Sequence, residues 1–453
     1  MASAEQLRQV TFLIKNSWQK SARGAALLIL EKIFKEQAYS NIVLSRYLKQ
    51  SSLASQDKSL VTELVYGTVA RKITLEWYLS HFIQDRTKLE EWLYYLLLLS
   101  LYQLLYLDNI PNHAVVNEAV ALAKKRSRQR GAEKLVNAVL RRVTEGNLPD
   151  ISSIKRKNKY YSVKYSLPVW LVRKLTEQYG EKRGLDIMAS LLVRSKASIR
   201  LVNPQKKSEI MAATGALSSQ ISPVGLVKSS GHFAETAYFS HGDITIQDES
   251  SQLVAPIMNI QGDETILDAC SAPGGKAAHM ASYLTSGHIG ALDLYDHKLK
   301  LIIDNAKRLH VSDRISVRKL DARKVHDYFG KDSFDKILVD APCSGIGLIR
   351  RKPDIKYNKE LQNLAALQKI QLQILESVCQ TIRKGGIITY STCTIFAEEN
   401  FQVIKTFLEK HSDFEQVPLN HKQKDIVKDG CIIITPEQYH TDGFFISQVK
   451  RIS

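Results

Sequence analysis

Two cysteines, Cys343 and Cys393, each follow a short apolar run that predicts a β-strand. The first lies in Asp-Ala-Pro-Cys-Ser-Gly (340–345) and the second in Tyr-Ser-Thr-Cys-Thr (390–394). Open α/β sheets bind their ligands at the carboxyl ends of parallel strands. If both runs belong to one such sheet, both thiols lie at that edge, where a thiolate can act as a nucleophile. An isolated cysteine is more often a small buried residue, so the inference needs the pair and its surroundings.

The cysteine count narrows the class of protein. The chain has five cysteines, an odd number, and no two of them form a Cys-x-x-Cys pair. This pattern argues against a disulfide framework and against a zinc site, and it predicts a metal-free protein of a reducing cytoplasm. Cys379 and Cys431 are expected to be inert core residues, whereas Cys270 lies in a glycine-rich turn.

That turn, at residues 268–276, reads Asp-Ala-Cys-Ser-Ala-Pro-Gly-Gly-Lys and joins a predicted strand to a predicted helix. Glycines at such a turn let the backbone bend tightly and approach a ligand. The Walker A pattern requires a glycine five positions before Gly275, where Cys270 stands. The dinucleotide fingerprint Gly-x-Gly-x-x-Gly is absent as well. The turn therefore predicts a ligand other than a phosphate chain.

Aspartates recur at the predicted strand ends, at positions 268, 293, 321 and 340. A carboxylate after the second strand suits ribose hydroxyls, and one at the next strand end can meet the amino group of an adenine. This arrangement favours a nucleoside that carries a charged sulfonium over a pyrophosphate. A single aspartate is as often a turn or cap residue, but four at the edge of one sheet favour a binding site.

The elements that must position these residues fall into three predicted domains. Residues 1–150 place apolar residues three and four apart and predict an all-α domain. A linker is expected at 146–160, followed by a small α+β module at 161–240. From 241 to 453 strands and helices alternate, which predicts an α/β domain with a doubly wound, mostly parallel, Rossmann-like sheet.

The excess positive charge of the chain lies outside this last domain. The net charge is +17, yet residues 241–453 contain 27 Lys+Arg and 27 Asp+Glu. Such asymmetry predicts a polyanionic partner, most simply a nucleic acid, for the first 240 residues. Basic clusters at 124–130 and 155–159, the second followed by Tyr160 and Tyr161, could contact phosphates and stack on bases.

The most apolar stretch, residues 92–107, is too short for a membrane helix. It has 16 residues and contains Gln103, whereas a membrane span needs about 20 apolar residues. We expect a core helix there, no membrane contact and no signal peptide. The chain is expected to be a cytoplasmic monomer.

Three motifs together resemble those of a known family, the Sun/Fmu-type RNA cytosine-5 methyltransferases. The stretches 268–276, 340–345 and 390–394 resemble its S-adenosylmethionine-binding, target-base and nucleophile motifs. Residues 111–120 and 135–142 resemble the NusB-like RNA-binding domain that is fused to its ribosomal RNA members. Residues 242–251 resemble the segment leading into the catalytic domain, and 350–354 resemble a basic loop after the target-base motif.

The resemblance implies an S-adenosylmethionine-dependent enzyme that forms 5-methylcytidine in 16S ribosomal RNA through a covalent cysteine adduct at carbon 6 of cytosine. It implies that Cys393 is the nucleophile, that Cys343 assists product release and that Asp340 contacts the base and cofactor region. Asp293 would bind the ribose and Asp321 the adenine. The implied cofactor-binding residues are Cys270, Ser271, Ala272, Pro273, Gly274, Gly275, Lys276, Asp293, Asp321 and Asp340.

Two positions depart from the family pattern. In addition, the sequence does not show where two basic side chains lie relative to the nucleophile. Ser271 stands where alanine is common and Thr394 where serine is common, but both are small residues. Lys276 and Arg350 are candidates for the group that favours the Cys393 thiolate.

Two alternative functions stay open on the sequence. The substrate could be a transfer RNA, since only the NusB-like fusion favours ribosomal RNA. The chain could also be a non-catalytic RNA-binding or antitermination factor that relies on its helical domain. The presence of both Cys343 and Cys393 argues against that reading, because a binding protein has no need for thiols there.

Overall fold

The computed structural model describes residue 12 and residues 16–127, 131–231 and 233–453. Within these residues the chain forms two compact units. The helical unit comprises Met1–Leu192 and Arg351–Asn358, and the sheet unit comprises Val193–Arg350 and Lys359–Ser453. Residues 128–130 of the basic cluster predicted at 124–130 lie outside the described residues.

The apolar stretch at 92–107 forms a core helix of the helical unit, as predicted. Its side chains from Trp92 to Gln103 are buried. Gln103 is accommodated because its amide accepts a hydrogen bond from Arg23 Nε at 2.8 Å and donates one to the Leu99 carbonyl at 3.0 Å. No helix in the described part of the chain is long and apolar enough to cross a membrane.

The described helices of this unit are α1 (Ala22–Lys35), α2 (Ser40–Gln50), α3 (Ser55–Ala70), α4 (Lys72–Ser80), α5 (Glu91–Tyr106), α6 (Asn112–Arg126), α7 (Ala132–Thr144), α8 (Lys157–Lys164), α9 (Val169–Tyr179) and α10 (Glu181–Ser190). Helices α1 to α7 pack around one apolar core.

The predicted linker at 146–160 is only partly a linker. Asp150 caps a 3-10 turn at Ile151–Ser153, and α8 begins at Lys157. The turn that follows α8 is fixed to α4, because Ser166 Oγ accepts a hydrogen bond from the Ile73 backbone N–H at 3.0 Å. Helices α8–α10 therefore group with the helical unit and not with the strands that follow them. The three predicted domains, with their bounds, stay a prediction.

A segment distant in sequence, Arg351–Asn358, also belongs to the helical unit. Lys356 is buried at 1% exposure, and its Nζ donates to the Ala70 carbonyl at 2.6 Å. Burial lowers the pKa of Lys356 to about 7. Asp354, also buried, accepts a hydrogen bond from Ser40 Oγ. Asp354 and Lys356 thus make contacts inside the helical unit. Asp354 is the last residue of the stretch 350–354 that resembles a basic loop.

The sheet unit contains two sheets. Their strands are β1 (Ala197–Leu201), β2 (Leu217–Ser218), β3 (Gly225–Lys228), β4 (Ile244–Ile246), β5 (Thr265–Asp268), β6 (His288–Asp293), β7 (Ile315–Lys319), β8 (Phe334–Asp340), β9 (Ile382–Thr392), β10 (Phe414–Val417), β11 (Val427–Lys428), β12 (Cys431–Ile434) and β13 (Phe444–Arg451). Among the described residues the smaller sheet has four antiparallel strands in the order β2-β3-β1-β4.

The larger sheet has the predicted Rossmann-like α/β architecture. In the described part of the chain it has nine strands in the order β11-β12-β13-β9-β8-β5-β6-β7, with β10 paired to β13. The run β9-β8-β5-β6-β7 is parallel. The late strands β10–β13 pair antiparallel, a direction that the sequence pattern did not predict.

Helices cover both faces of this sheet. Leu338 of β8 packs in the cluster that includes residues of α14 (Gly275–Ala281) and α15 (Asp296–Arg308), whereas Ile337 and Val339 pack in the cluster of α17 (Gln362–Val378) and α18 (Phe401–Lys410). Successive side chains of a strand point to opposite faces, so a strand that is covered on both faces is a continuous apolar run. The other described helices of the sheet unit are α11 (Lys207–Thr214), α12 (Ala237–Ser240), α13 (Val254–Ile257) and α16 (Val325–Tyr328).

Candidate active site

The carboxyl edge of the parallel strands gathers the candidate residues. Asp268, Asp293 and Asp340 are the last residues of β5, β6 and β8, and Cys393 directly follows β9. Asp321 follows β7 after one intervening residue. Because these strands are parallel neighbours, all of these side chains start from one edge of the sheet.

The glycine turn after β5 is shaped by its backbone contacts. Ser271 N–H donates to the Leu292 carbonyl of β6 at 2.8 Å, and Gly274 N–H donates back to the Ser271 carbonyl at 2.7 Å. Gly274 has a φ of +95°, and a Cβ there would lie 3.0 Å from Ile302 Cα of α15. Only glycine fits that position without strain. A Cβ on Gly275, the first residue of α14, would meet nothing within 4 Å.

Asp268 is a buried carboxylate. It is 1% exposed, and the hydrogen bonds of the Ser271 side chain and the Cys270 backbone lower its pKa less than burial raises it. Burial, and next the nearby charge of Asp340, raise the pKa of Asp268 to about 7. A cationic ligand at this edge would stabilise the ionised form, because an opposite charge lowers the pKa of a carboxyl group.

We expect the stability of the ligand-free protein to record this raised pKa. The stability that Asp268 contributes is complete below its ordinary pKa of 3.8 and is lost as the pH rises to about 7. Asp268→Asn does not titrate, so its free energy of unfolding relative to wild type should rise across that interval, by up to about 1.4 kcal/mol for each pH unit. Urea unfolding at about pH 5 and about pH 8 measures the difference.

The control for this experiment is Asp304→Asn, a carboxylate exposed on α15. It should show no comparable gain between the two pH values. An Asp268→Asn protein whose stability follows the pH as wild type does would contradict a buried titrating carboxyl group at position 268.

Asp293 and Asp321 have different surroundings. Asp293 is 8% exposed, accepts a hydrogen bond from the Tyr295 N–H at 3.2 Å and lies 3.6 Å from Lys298 Nζ. Asp321 caps the turn after β7 and forms an ion pair with Arg323, with a closest approach of 2.6 Å. Hydrogen bonding by Arg323 lowers the pKa of Asp321, so this carboxylate stays ionised at neutral pH.

Asp340 is held from two sides. One of its oxygens lies 2.8 Å from Lys276 Nζ, at the start of α14, and the other accepts a hydrogen bond from Ser391 Oγ of β9 at 2.8 Å. Burial alone would lower the pKa of Lys276. The charge and the hydrogen bond of the Asp340 carboxylate raise this pKa by more than burial lowers it, so the net shift is upward. Lys276 therefore stays cationic, and its charge also interacts with Cys393. Of the two basic candidates, Lys276 lies in this cluster.

The two cysteines of the sequence motifs meet. Asp340 of β8 is in register with Ser391 of β9, and the thiols that follow these strands lie 3.2 Å apart, Sγ to Sγ. Both side chains are partly exposed, and both cysteines are free. Gly347 N–H donates to the Cys393 carbonyl at 3.1 Å, which ties the loop after Cys343 to the loop after β9.

The surroundings of Cys343 keep its thiol protonated. The hydrogen bond to Cys393 is the largest cause that raises the pKa of Cys343 well above its ordinary value, followed by burial. The charges of Glu399 and Asp340 act in the same direction. Cys343 is therefore an uncharged thiol at neutral pH.

The other candidates lie apart from the thiol pair. Arg350 donates a hydrogen bond to the Thr441 carbonyl. Burial raises the pKa of Cys270 well above its ordinary value, so this residue of the glycine turn is a neutral thiol. Cys379 and Cys431 are buried in the core, as expected.

Several residues of the cluster escaped the sequence prediction. Asp268 was counted among the strand-end aspartates but not among the site residues, although its position at the end of the first parallel strand was a usable signal. Ser391 precedes Cys393 by two residues, so a strand alternation places it on the same face. Glu399 and Gln371 contact the cysteine loops across 55 and 29 residues of sequence, and no local pattern indicates such contacts.

A parallel sheet with a glycine turn after β5 and carboxylates at the following strand ends is typical of Rossmann-like nucleotide-binding enzymes, and it fits an S-adenosylmethionine-dependent methyltransferase. A family model described as 16S rRNA methyltransferase RsmB/F matches residues 255–450, and a NusB family model matches residues 20–145. With the near full-length similarity described next, the chain belongs to the RsmB/F family of 16S rRNA methyltransferases.

The chain is 40% identical over 444 residues to the probable ribosomal RNA small subunit methyltransferase B of Bacillus subtilis (strain 168), covering 95% of this chain and 99% of that one. A crystal structure of the protein PH0851 matches with a TM-score of 0.81 at 24% identity, covering 97% of this chain and 100% of that one. NSun6 from Pyrococcus horikoshii with SFG matches with a TM-score of 0.57 at 21% identity, covering 63% and 98%. These two structures support the fold.

Proposed function

We propose that this protein transfers a methyl group from S-adenosylmethionine to carbon 5 of a cytidine in 16S ribosomal RNA, through a covalent bond between Cys393 and carbon 6 of the base. The observation that carries the proposal is the approach of Cys343 and Cys393 to 3.2 Å, beside an Asp340 carboxylate held by Lys276. A family of 16S rRNA methyltransferases supplies the substrate class and the methyl donor.

The residues at the sheet edge fit this cofactor. When bound, S-adenosylmethionine supplies an electrophilic methyl group on a cationic sulfur. The Asp268 carboxylate is buried at this edge, and a cation nearby would stabilise its ionised form. The turn at 270–276 would hold the methionine part beside the open side of Gly275. Asp293 would bind the ribose hydroxyls and Asp321, already ionised by Arg323, the adenine amino group.

The reaction would begin with the thiolate of Cys393. Carbon 5 of cytosine is a poor nucleophile, and addition of sulfur to carbon 6 turns carbons 4 and 5 into an enamine. The bond between Sγ and carbon 6 forms, the electron pair of the ring double bond moves toward ring nitrogen 3, and that nitrogen takes a proton. The pair of Asp340 and Lys276 would bind this edge of the base and share the proton. The cationic Lys276 also favours the Cys393 thiolate.

Methyl transfer and release follow from the same geometry. Carbon 5 bonds to the methyl carbon while the old carbon–sulfur pair stays with the cofactor sulfur. A base then removes the proton of carbon 5, nitrogen 3 loses its proton, and the bond to Cys393 breaks with its electron pair on Sγ. Cys343 is the proposed base, because it lies 3.2 Å from the sulfur that forms the adduct.

The raised pKa of Cys343 fits this order of events. In the free enzyme the neighbouring Cys393 is the largest cause of the shift. In the adduct Cys393 is an uncharged thioether, so that cause is removed and Cys343 ionises more easily. One thiol is therefore kept protonated until the other has reacted, which prevents two thiolates from competing.

Ribosomal RNA as substrate also accounts for the basic first 240 residues and for the NusB family match. The proposal includes a cytoplasmic location, where ribosomal RNA is made and modified in bacteria. A target base inside a stacked helix would have to leave the stack to reach the thiols.

The product of the reaction tests the proposal. Transcripts of 16S ribosomal RNA and of transfer RNA are incubated separately with the protein and a methyl-labelled cofactor, then digested to nucleosides. We expect label in 5-methylcytidine from the ribosomal RNA alone, and bisulfite sequencing of that RNA then locates the base. Label in another nucleoside would refute the cytosine-5 chemistry, and label confined to transfer RNA would refute the substrate.

A further inference from the structure

Glu399 is a fully buried carboxylate for which the proposed reaction has no direct use. It ends the 3-10 turn Ala397–Glu399, which lies between β9 and α18. Its exposure is 0%, and burial raises its pKa although the hydrogen bonds from Ser344 oppose the shift. A buried carboxylate is costly unless donors surround it, so its partners indicate what it holds in place.

Two of the hydrogen bonds to Glu399 come from Ser344, on the loop of Cys343. The Ser344 backbone N–H donates to Glu399 Oε1 at 2.7 Å, and Ser344 Oγ donates to Oε2 at 2.6 Å. Ser344 directly follows Cys343 and is 2% exposed. Two short hydrogen bonds from one residue to both oxygens fix the position and the orientation of the backbone beside the thiol.

A second residue closes the other side of the same loop. Gln371 of α17 donates from Nε2 to the Pro342 carbonyl at 3.0 Å and to Glu399 Oε1 at 3.2 Å. Pro342 precedes Cys343, so the loop is held immediately before and immediately after the thiol. Glu399 therefore accepts hydrogen bonds from both Ser344 and Gln371, and we call these three residues the bracket around the Cys343 loop.

The network also reaches the loop of the nucleophile. Ser344 Oγ lies 2.9 Å from Thr394 Oγ1, and Thr394 directly follows Cys393. Asn400, the neighbour of Glu399, donates from Nδ2 to the Thr394 carbonyl at 3.0 Å. The Thr394 side chain also hydrogen-bonds to Glu399 and lowers its pKa. The turn at 397–400 therefore contacts the residues that follow both cysteines.

We propose that Glu399 is a positioning residue that fixes the Cys343 loop against the Cys393 loop, so that the release step can follow the attack. This inference rests on the proposed function, because it assumes that Cys343 acts on an adduct of Cys393. Without the bracket, Cys393 keeps its place at the end of β9, whose pairing with β8 and β13 is independent of Glu399. Cys343, on a loop, loses its fixed distance. Attack should therefore survive better than release.

The experiment compares Glu399→Ala, Glu399→Gln and the surface control Glu409→Gln in the full-length protein. Glu409 is exposed on α18 and lies 3.8 Å from Lys405. With 16S ribosomal RNA and S-adenosylmethionine, Glu399→Ala should lower kcat by roughly tenfold to a hundredfold, as expected for a misplaced acid–base group, with KM for RNA unchanged. Its covalent RNA adduct should accumulate as a slow band on a denaturing gel.

Glu399→Gln tests whether the hydrogen bonds to the Cys343 loop matter or the negative charge of the side chain. Its amide oxygen still accepts from the Ser344 N–H, and its NH2 group can donate to Ser344 Oγ, so the bracket is retained without the charge. We expect kcat within about tenfold of wild type, the cost of one altered hydrogen bond, and little adduct. Glu409→Gln should match wild type in both measurements.

Two outcomes overturn the inference. One is a Glu399→Ala protein that matches Glu409→Gln, and the other is a loss of kcat without adduct under conditions where Cys343→Ala accumulates it. If Cys343→Ala itself gives no adduct, the proposed release step fails instead, so the two failures are distinguishable. Should Glu399→Ala not fold by circular dichroism, Ser344→Ala decides, because it removes one of the two bonds. It must then accumulate adduct above the Glu409→Gln level, or the inference is wrong.

Discussion

Replacing Cys393 with alanine should abolish methyl transfer to RNA. Without the thiolate, carbon 5 of the base is never activated, and loss of a covalent nucleophile costs on the order of 10⁴-fold or more in kcat. The fold should persist, because Cys393 lies partly exposed after the end of β9. Transfer of labelled methyl groups to 16S ribosomal RNA under single-turnover conditions measures the loss, and circular dichroism checks the fold.

A matched substitution separates this effect from the loss of any cysteine. Cys379 is buried among core residues near the end of α17, away from the sheet edge. Cys379→Ala should keep its kcat even where it lowers the melting temperature. A Cys393→Ala protein with turnover comparable to that of Cys379→Ala would disprove the nucleophile assignment.

Replacing Cys343 with alanine should have a different result, the accumulation of a covalent protein–RNA complex. Attack by Cys393 and methyl transfer are retained, but the group that removes the proton of carbon 5 is missing. The adduct should appear as a slow band on a denaturing gel that depends on RNA and on S-adenosylmethionine. Multiple turnover should fall by roughly 10²-fold to 10⁴-fold, the range of a general base.

Wild type with RNA that contains 5-fluorocytidine provides a positive control for that band. Fluorine at carbon 5 cannot leave as a cation, so release stops for a chemical reason while every residue is present. If this control gives the band and Cys343→Ala with normal RNA does not, Cys343 has no part in release.

The sequence predicted that both thiols lie at one edge of the sheet, and it did not predict the distance between them. Parallel strands end at one edge, and both cysteines follow strand-like runs. The rule does not say which strands are neighbours. β8 pairs directly with β9, with Asp340 opposite Ser391, and the sequence pattern does not indicate that these two strands are neighbours. Only this adjacency reduces the separation of the sulfurs to 3.2 Å.

Contacts between distant residues account for most of what the sequence did not predict. Lys276 was a candidate without a place, and its ion pair with Asp340 joins residues 64 apart. Glu399 resembles a surface charge next to Glu398, yet it is buried because Ser344, 55 residues earlier, supplies two donors. Composition and periodicity are local properties and do not contain such pairings.

The linker predicted at 146–160 illustrates a different limit. Glycine, asparagine, proline and serine do accumulate before residue 154, but α8 begins at Lys157. The basic run at 155–159 gave no sign of a helix start, because charged residues occur equally in linkers and on helix surfaces. The prediction therefore extended the linker to residue 160. The turn after α8 is stabilised by Ser166 and its contact with Ile73, which the sequence does not indicate.

The central claim is that Cys393, and no other cysteine, carries the RNA during methylation. Trypsin digestion of the complex trapped by Cys343→Ala separates the candidates, because Cys393 lies in the peptide 385–405 and position 343 in the peptide 337–350. Mass spectrometry after nuclease treatment should find a methylated cytidine nucleotide on Cys393 of the first peptide. A nucleotide attached to Cys270 or to any other residue, or one without the added methyl group, would contradict the proposed mechanism.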